Sequence, residues 1–164
     1  MVITASEIRK IQSLYAACIV GDLKGVVTIL NAHLHDIDGN NIHAIDIDPK
    51  GYGRRPIHAA TIGGHLDIVK FLIDNGADVN IKNRYGDTAL HFAVYHNRSL
   101  ILTELLKRHA DPTIQNNVYK TPIDIAKEES KEQFVIEMEN FLPNTSQDTR
   151  GSMLKQMVEK NKKP

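Results

Sequence analysis

The feature that most constrains this chain is that it repeats itself. Arg55-Pro56-Ile57-His58-Ala59-Ala60 returns as Thr88-Ala89-Leu90-His91-Phe92-Ala93, then as Thr121-Pro122-Ile123-Asp124-Ile125-Ala126, each time 33 residues further on. The stretch Phe71-Leu72-Ile73-Asp74-Asn75-Gly76-Ala77-Asp78 returns at the same distance as Glu104-Leu105-Leu106-Lys107-Arg108-His109-Ala110-Asp111. A period kept across two segments with shared apolar positions marks a stack of equal units. No such unit buries its apolar face alone, so neighbours must pack on one another.

Each unit reads as two short helices. Small Ala60, Ala93 and Ala126 allow close packing of the first, and Leu66, Val69, Leu72 and Ile73 fall at helical spacing in the second. Gly76 sits where a left-handed C-cap belongs, and His33 and His109 share its register. Asn83-Arg84-Tyr85-Gly86 then reads as the turn of a β-hairpin finger. Sliding the template upstream aligns Leu14-Tyr15-Ala16-Ala17 with Ile57-His58-Ala59-Ala60, at a longer offset that leaves about ten inserted residues before the next unit. Downstream, Phe134, Val135, Met138, Phe141 and Leu142 form a single apolar stripe, the pattern of a terminal cap, and Pro143 ends it.

Ile57-His58-Ala59-Ala60-Thr61-Ile62-Gly63-Gly64-His65-Leu66-Asp67-Ile68-Val69-Lys70-Phe71-Leu72 resembles the ankyrin-repeat family, as do the period and the Thr-Pro-Leu-His-like signature. The resemblance runs over residues 6 to 142. It implies an all-α repeat solenoid of helix pairs with β-hairpin fingers. The repeats fall at about 6–49 with a hairpin insertion, 50–82, 83–115 and a capping 116–142, within a domain of residues 1–142. A tail of residues 143–164 is either flexible or one short helix through Met153, Leu154, Met157 and Val158.

Composition removes several classes of function. Lys plus Arg and Asp plus Glu both total 20, so no whole-protein field draws nucleic acid or an anionic membrane. No apolar run is long enough to span a bilayer, and the first residues lack the pattern of a secretory signal. Cys18 is the single cysteine, which excludes an internal disulfide and fits a reducing, cytoplasmic compartment. No nucleophile elbow, phosphate loop or metalloprotease motif is present, so no catalytic residue is assigned and no cofactor is expected.

The insertion, His33 to Asp48, is rich in His and Asp. Started at Asp36, an EF-hand loop would place Asn41 at its glycine position and Ile47 at its glutamate position, so it fails. His33, His35 and His43 have no recognised zinc spacing. Asp38-Gly39 is a turn signal, and a long hairpin finger is the favoured reading, with a metal-responsive module as the alternative.

In ankyrin proteins the finger tips and exposed faces of the first helices line a concave groove. That resemblance places Tyr52 and Arg54 on the second tip, Arg84, Tyr85 and Asp87 on the third, and Asn117, Val118 and Lys120 on the fourth. The first helices add Tyr95 and His96, with Glu128 and Glu129 at the acidic end. Tyr and Arg are the residue types enriched at interface hot spots. The candidate partner-binding residues are therefore Tyr52, Arg54, Arg84, Tyr85, Asp87, Tyr95, His96 and Lys120. His58 and His91, at the signature position, are expected to tie adjacent turns together rather than to react. The expectation is a monomeric, non-enzymatic adaptor or scaffold with a protein partner. By family analogy one setting is the cytoplasm, and another is a host cell receiving a bacterial effector.

Overall fold

The computed structural model describes residues 5–33, 48 and 50–142. Eight helices form among them: α1 Ala5–Val20, α2 Leu23–His33, α3 Pro56–Gly63, α4 Leu66–Asp74, α5 Ala89–Tyr95, α6 Ser99–Lys107, α7 Pro122–Glu128 and α8 Glu132–Phe141. Each odd helix pairs with the even one after it, and the pairs stack. The inner row α1–α3–α5–α7 and the outer row α2–α4–α6–α8 each touch along the stack.

Local chemistry sets the helix starts. Pro56 and Pro122 occupy first-turn positions, where a missing N–H costs nothing. Thr88 and Thr121 precede α5 and α7 in extended conformation. The ends are set by left-handed residues at repeating registers: Gly21, Gly64, Asn97 and Ser130 after the inner helices, Gly76 and His109 after two outer ones. His109 thus takes the conformation that glycine takes at position 76, with φ of 65°.

The core lies between the rows. Ala60, Ala93 and Ala126 are wholly buried, letting successive inner helices approach, while Ile68, Leu72, Leu102, Leu105 and Met138 fill the space behind them. Cys18 is part of this core, and burial pushes its thiol up to about 12. It is inert packing.

The fingers depart from the expected hairpins, for no strand forms among the described residues. Each of the last two is a tight turn closed by an asparagine. Asn83 Oδ1 accepts from the N–H groups of Tyr85 and Asp87, both at 2.8 Å. Asn116 Oδ1 accepts from Val118 and Lys120, both at 3.1 Å. One side chain satisfies the turn that a strand ladder would otherwise hold. Fingers join tip to tip, Arg84 N–H to Tyr52 carbonyl at 3.1 Å and Asn117 N–H to Tyr85 carbonyl at 2.8 Å.

Tyr119 holds the register of Gly53 and Gly86 and adopts their backbone, with φ of 59° against 71° and 79°. At Gly86 the glycine is required twice over. Besides its positive φ, an added Cβ would stand 2.8 Å from the Asn117 backbone nitrogen.

Candidate partner-binding surface

Two ladders of side chains hold the repeats in register and so fix the face that the fingers and inner helices share. The first uses the signature position. His58 Nδ1 accepts from the Arg55 N–H at 3.1 Å, and its Nε2 donates to the Ile81 carbonyl at 2.9 Å. His91 Nδ1 likewise accepts from the Thr88 N–H at 3.0 Å, and its Nε2 donates to the Lys120 carbonyl of the next repeat at 3.1 Å, whereas Ile81 lies at the end of His58's own repeat. A carbonyl only accepts, so both rings are neutral with the proton on Nε2. Burial holds His58 down at about 4 and lowers His91 as well.

The outer repeats alter this register. In the first, Tyr15 takes the position and its hydroxyl meets Arg54 Nη1 at 3.4 Å. In the last, Asp124 stays exposed and accepts from Thr121 N–H at 2.9 Å and Thr121 Oγ1 at 2.7 Å. Those bonds, the backbone one foremost, lower its pKa. Asp124 thus caps its own helix. Arg55 stands where the signature has Thr and makes no side-chain cap bond, so there the His58 link to backbone acts alone.

The second ladder was not among the expected features. His65, Arg98 and Lys131 each reach a carbonyl in the last turn of the preceding inner helix: Ile19 at 2.9 Å, Ile62 at 2.8 Å and Val94 at 2.5 Å. A cation is favoured at such a helix end. Asp22 holds this register in the first repeat and accepts from Gly25 N–H at 2.9 Å to cap α2. The signal in the sequence is a basic residue recurring every 33 positions.

On the face so fixed, several expected residues form one connected cluster. The Tyr52 and Tyr85 rings tilt against each other with centroids 5.8 Å apart. Arg54 lays its guanidinium 4.9 Å from the Tyr52 centroid and 5.7 Å from that of Phe92, with Asp48 Oδ2 at 3.4 Å. Tyr95 meets the edge of Phe92 and His96 stacks on it, both at 6.4 Å. Tyr85 and Tyr95 keep 55% and 40% of their surface exposed. Phe92, the hub, is a residue that the tip-and-helix mapping passes over. Its signal is size, since Ala59 holds the same register one repeat earlier.

The remaining expected residues lie elsewhere or serve elsewhere. Asp87 is buried at 8% exposure and accepts from Asn116 Nδ2 at 2.9 Å, so it ties finger to finger and presents nothing to a partner. Lys120 pairs with Glu128 at 2.6 Å. Arg84 is exposed and crosses the turn of the second finger, its Nη1 3.3 Å from where a Gly51 Cβ would stand. Val118 and Tyr119 are 65% and 80% exposed on the fourth tip. Of the insertion, His35 and His43 lie outside the described residues, as do the His33 side chain and the tail 143–164. Among the described residues no group of three His, Cys, Asp or Glu side chains could hold a metal ion, and no helix is long and apolar enough to cross a membrane.

Helix pairs stacked in two rows, tied by side chains at a fixed period and ending in finger turns, define a helical repeat solenoid. The family model for ankyrin repeats, in three copies, matches residues 13–116, and the chain belongs to the ankyrin-repeat family. It is 33% identical over 104 residues to human ankyrin repeat domain-containing protein 13B, covering 63% of this chain and 16% of that protein. It is 36% identical over 104 residues to palmitoyltransferase AKR1 of Kluyveromyces lactis, again 63% of this chain and 13% of the relative. To mouse protein phosphatase 1 regulatory subunit 12A it is 32% identical over 90 residues, 55% of this chain and 9% of the other. The chain thus spans less than a fifth of each of these relatives, and the likeness lies in the repeats.

Proposed function

We propose that this chain is a non-enzymatic adaptor or scaffold that holds a protein partner on the concave ankyrin face, through Tyr52, Arg54, Tyr85, Tyr95 and His96, with Arg84 at the rim. The observation that carries the reading is the contact chain Tyr85–Tyr52–Arg54–Phe92–Tyr95/His96, which gathers aromatic rings and an arginine on one face while two tyrosines stay exposed. Rigid aromatic area with a fixed guanidinium is the make-up of an interface hot spot. The relatives support it, since one is named as a regulatory subunit and shares only the repeats with this chain. The palmitoyltransferase is matched over 13% of its length, so its name lends no activity here.

The same surface serves a monomeric regulator in the cytoplasm or an effector delivered into a host cytosol, because the face and not the setting does the binding. Affinity capture with the intact chain, set beside a chain carrying Tyr52→Ala, Tyr85→Ala and Tyr95→Ala, tests the assignment. Partners retained only by the unaltered chain are expected. Identical partners from both would place binding on another surface.

A further inference from the structure

The cluster already contains its own cation. Arg54 occupies the faces of Tyr52 and Phe92 from within the protein, so those rings are not open to a partner's lysine or arginine. His96 stacks on Phe92, and the charges acting on that imidazole are Arg98, Arg54 and Lys131, all of one sign. Arg54 is balanced by Asp48, and Lys131 by Glu129 at 2.7 Å. Arg98 is not balanced. It donates one N–H to the Ile62 carbonyl, lies over Gly64 with its Cζ 2.8 Å from where a Cβ would stand, and meets no carboxylate among the described residues. The Nε atoms of Arg54 and Arg98 are both buried without an acceptor.

Deepening the reading above, we propose that the partner segment held on this face is acidic: an extended stretch of protein whose carboxylate seats beside His96, between Arg54 and Arg98, with apolar or aromatic side chains against Tyr52, Tyr85 and Tyr95. Complementary charge sets which partner is admitted and in which register. A neutral apolar segment would leave the Arg98 charge unanswered. A basic one would meet the unanswered Arg98 and find the two nearest rings already taken.

The test uses the full chain and short fluorescent peptide pools of otherwise identical apolar and small-residue composition. Glu, Lys or Gln is fixed at one central position. Binding is followed by fluorescence anisotropy at low and at physiological ionic strength. The Glu pool is expected to bind tightest and to weaken as salt rises. His96→Glu, a change at an exposed position, is expected to cost the Glu pool about tenfold while improving the Lys pool. An unchanged melting temperature shows that the fold is kept. If the Lys or Gln pool binds as well as the Glu pool, and Tyr52→Ala/Tyr85→Ala abolishes that binding, the acidic assignment falls and the face stands. If no pool binds the unaltered chain better than the tyrosine variant, both fall.

Discussion

Arg54 and Phe92 come from different repeats, yet the guanidinium of the first lies 5.7 Å from the ring centre of the second. The contact joins the second finger to the third inner helix and puts Phe92, which the tip mapping passes over, beside the expected Arg54 in the middle of the candidate surface. Phe92 keeps only 5% of its surface exposed, so what it offers is support for its neighbours.

Replacing Phe92 therefore tests support rather than contact. Phe92→Ala should lower stability by about 3 kcal/mol, the lower end for a buried aromatic, because Ala59 shows that the register accepts alanine. Urea unfolding checks this. A loss under about 0.5 kcal/mol would mean that the ring is not packed as described.

Asp87 and Tyr85, two residues apart, should part company. Asp87→Ala strands the Asn116 amide and is expected to cost about 2 kcal/mol. Tyr85→Ala, at a site 55% exposed, should leave stability within about 0.5 kcal/mol while weakening partner binding. Equal stability losses for the two would contradict the division between scaffold and surface.

The tip register gives a third contrast. Tyr119→Gly relieves a left-handed backbone at an exposed residue and should stabilise the chain by about 0.5–1 kcal/mol after glycine's own entropy is counted. Gly86→Ala, pressed against the Asn117 backbone, should cost more than about 1 kcal/mol. Thermal unfolding of both variants decides it, and a stabilising Gly86→Ala would refute the turn geometry.

Acid should loosen the stack through its histidines. Burial holds folded His58 at about 4, below its ordinary value of 6.5, so the unfolded chain takes up the proton first as pH falls. The stability that neutral His58 confers is complete above about pH 6.5 and is lost as pH falls through about 4, with an upper limit of about 3 kcal/mol. His91, also lowered, adds in the same direction. Urea midpoints across that window should slope more steeply for the natural chain than for His58→Gln. Equal slopes would assign the acid sensitivity to other groups.

The helix pairs were legible because apolar spacing and the 33-residue period are written in the residues themselves, and Gly76 and His109 announced their own left-handed caps. Asp87 was placed on the surface by register. Register fixes where a backbone stands, whereas the side chain turned under Asn116 for a bond that depends on the neighbouring finger. Arg54 likewise stood at a tip, and its inward course over Tyr52 and Phe92 depended on rings from two repeats. The period of His65, Arg98 and Lys131 can be read in the sequence. Their targets cannot, because a main-chain carbonyl leaves no mark on the residue that carries it.

The signature ladder meets Asp124 in the last described repeat and the basic ladder meets Asp22 in the first, each aspartate bonded within its own repeat. Between them, His65, Arg98 and Lys131 each reach a carbonyl of the preceding repeat, and His91 reaches one of the next. A copy of residues 83–115 spliced in behind itself would meet both neighbours in the form they already expect, with His91 and Arg98 supplied twice. The interior of the stack can therefore be lengthened by whole repeats. Each added repeat would extend the face that the fingers and inner helices share.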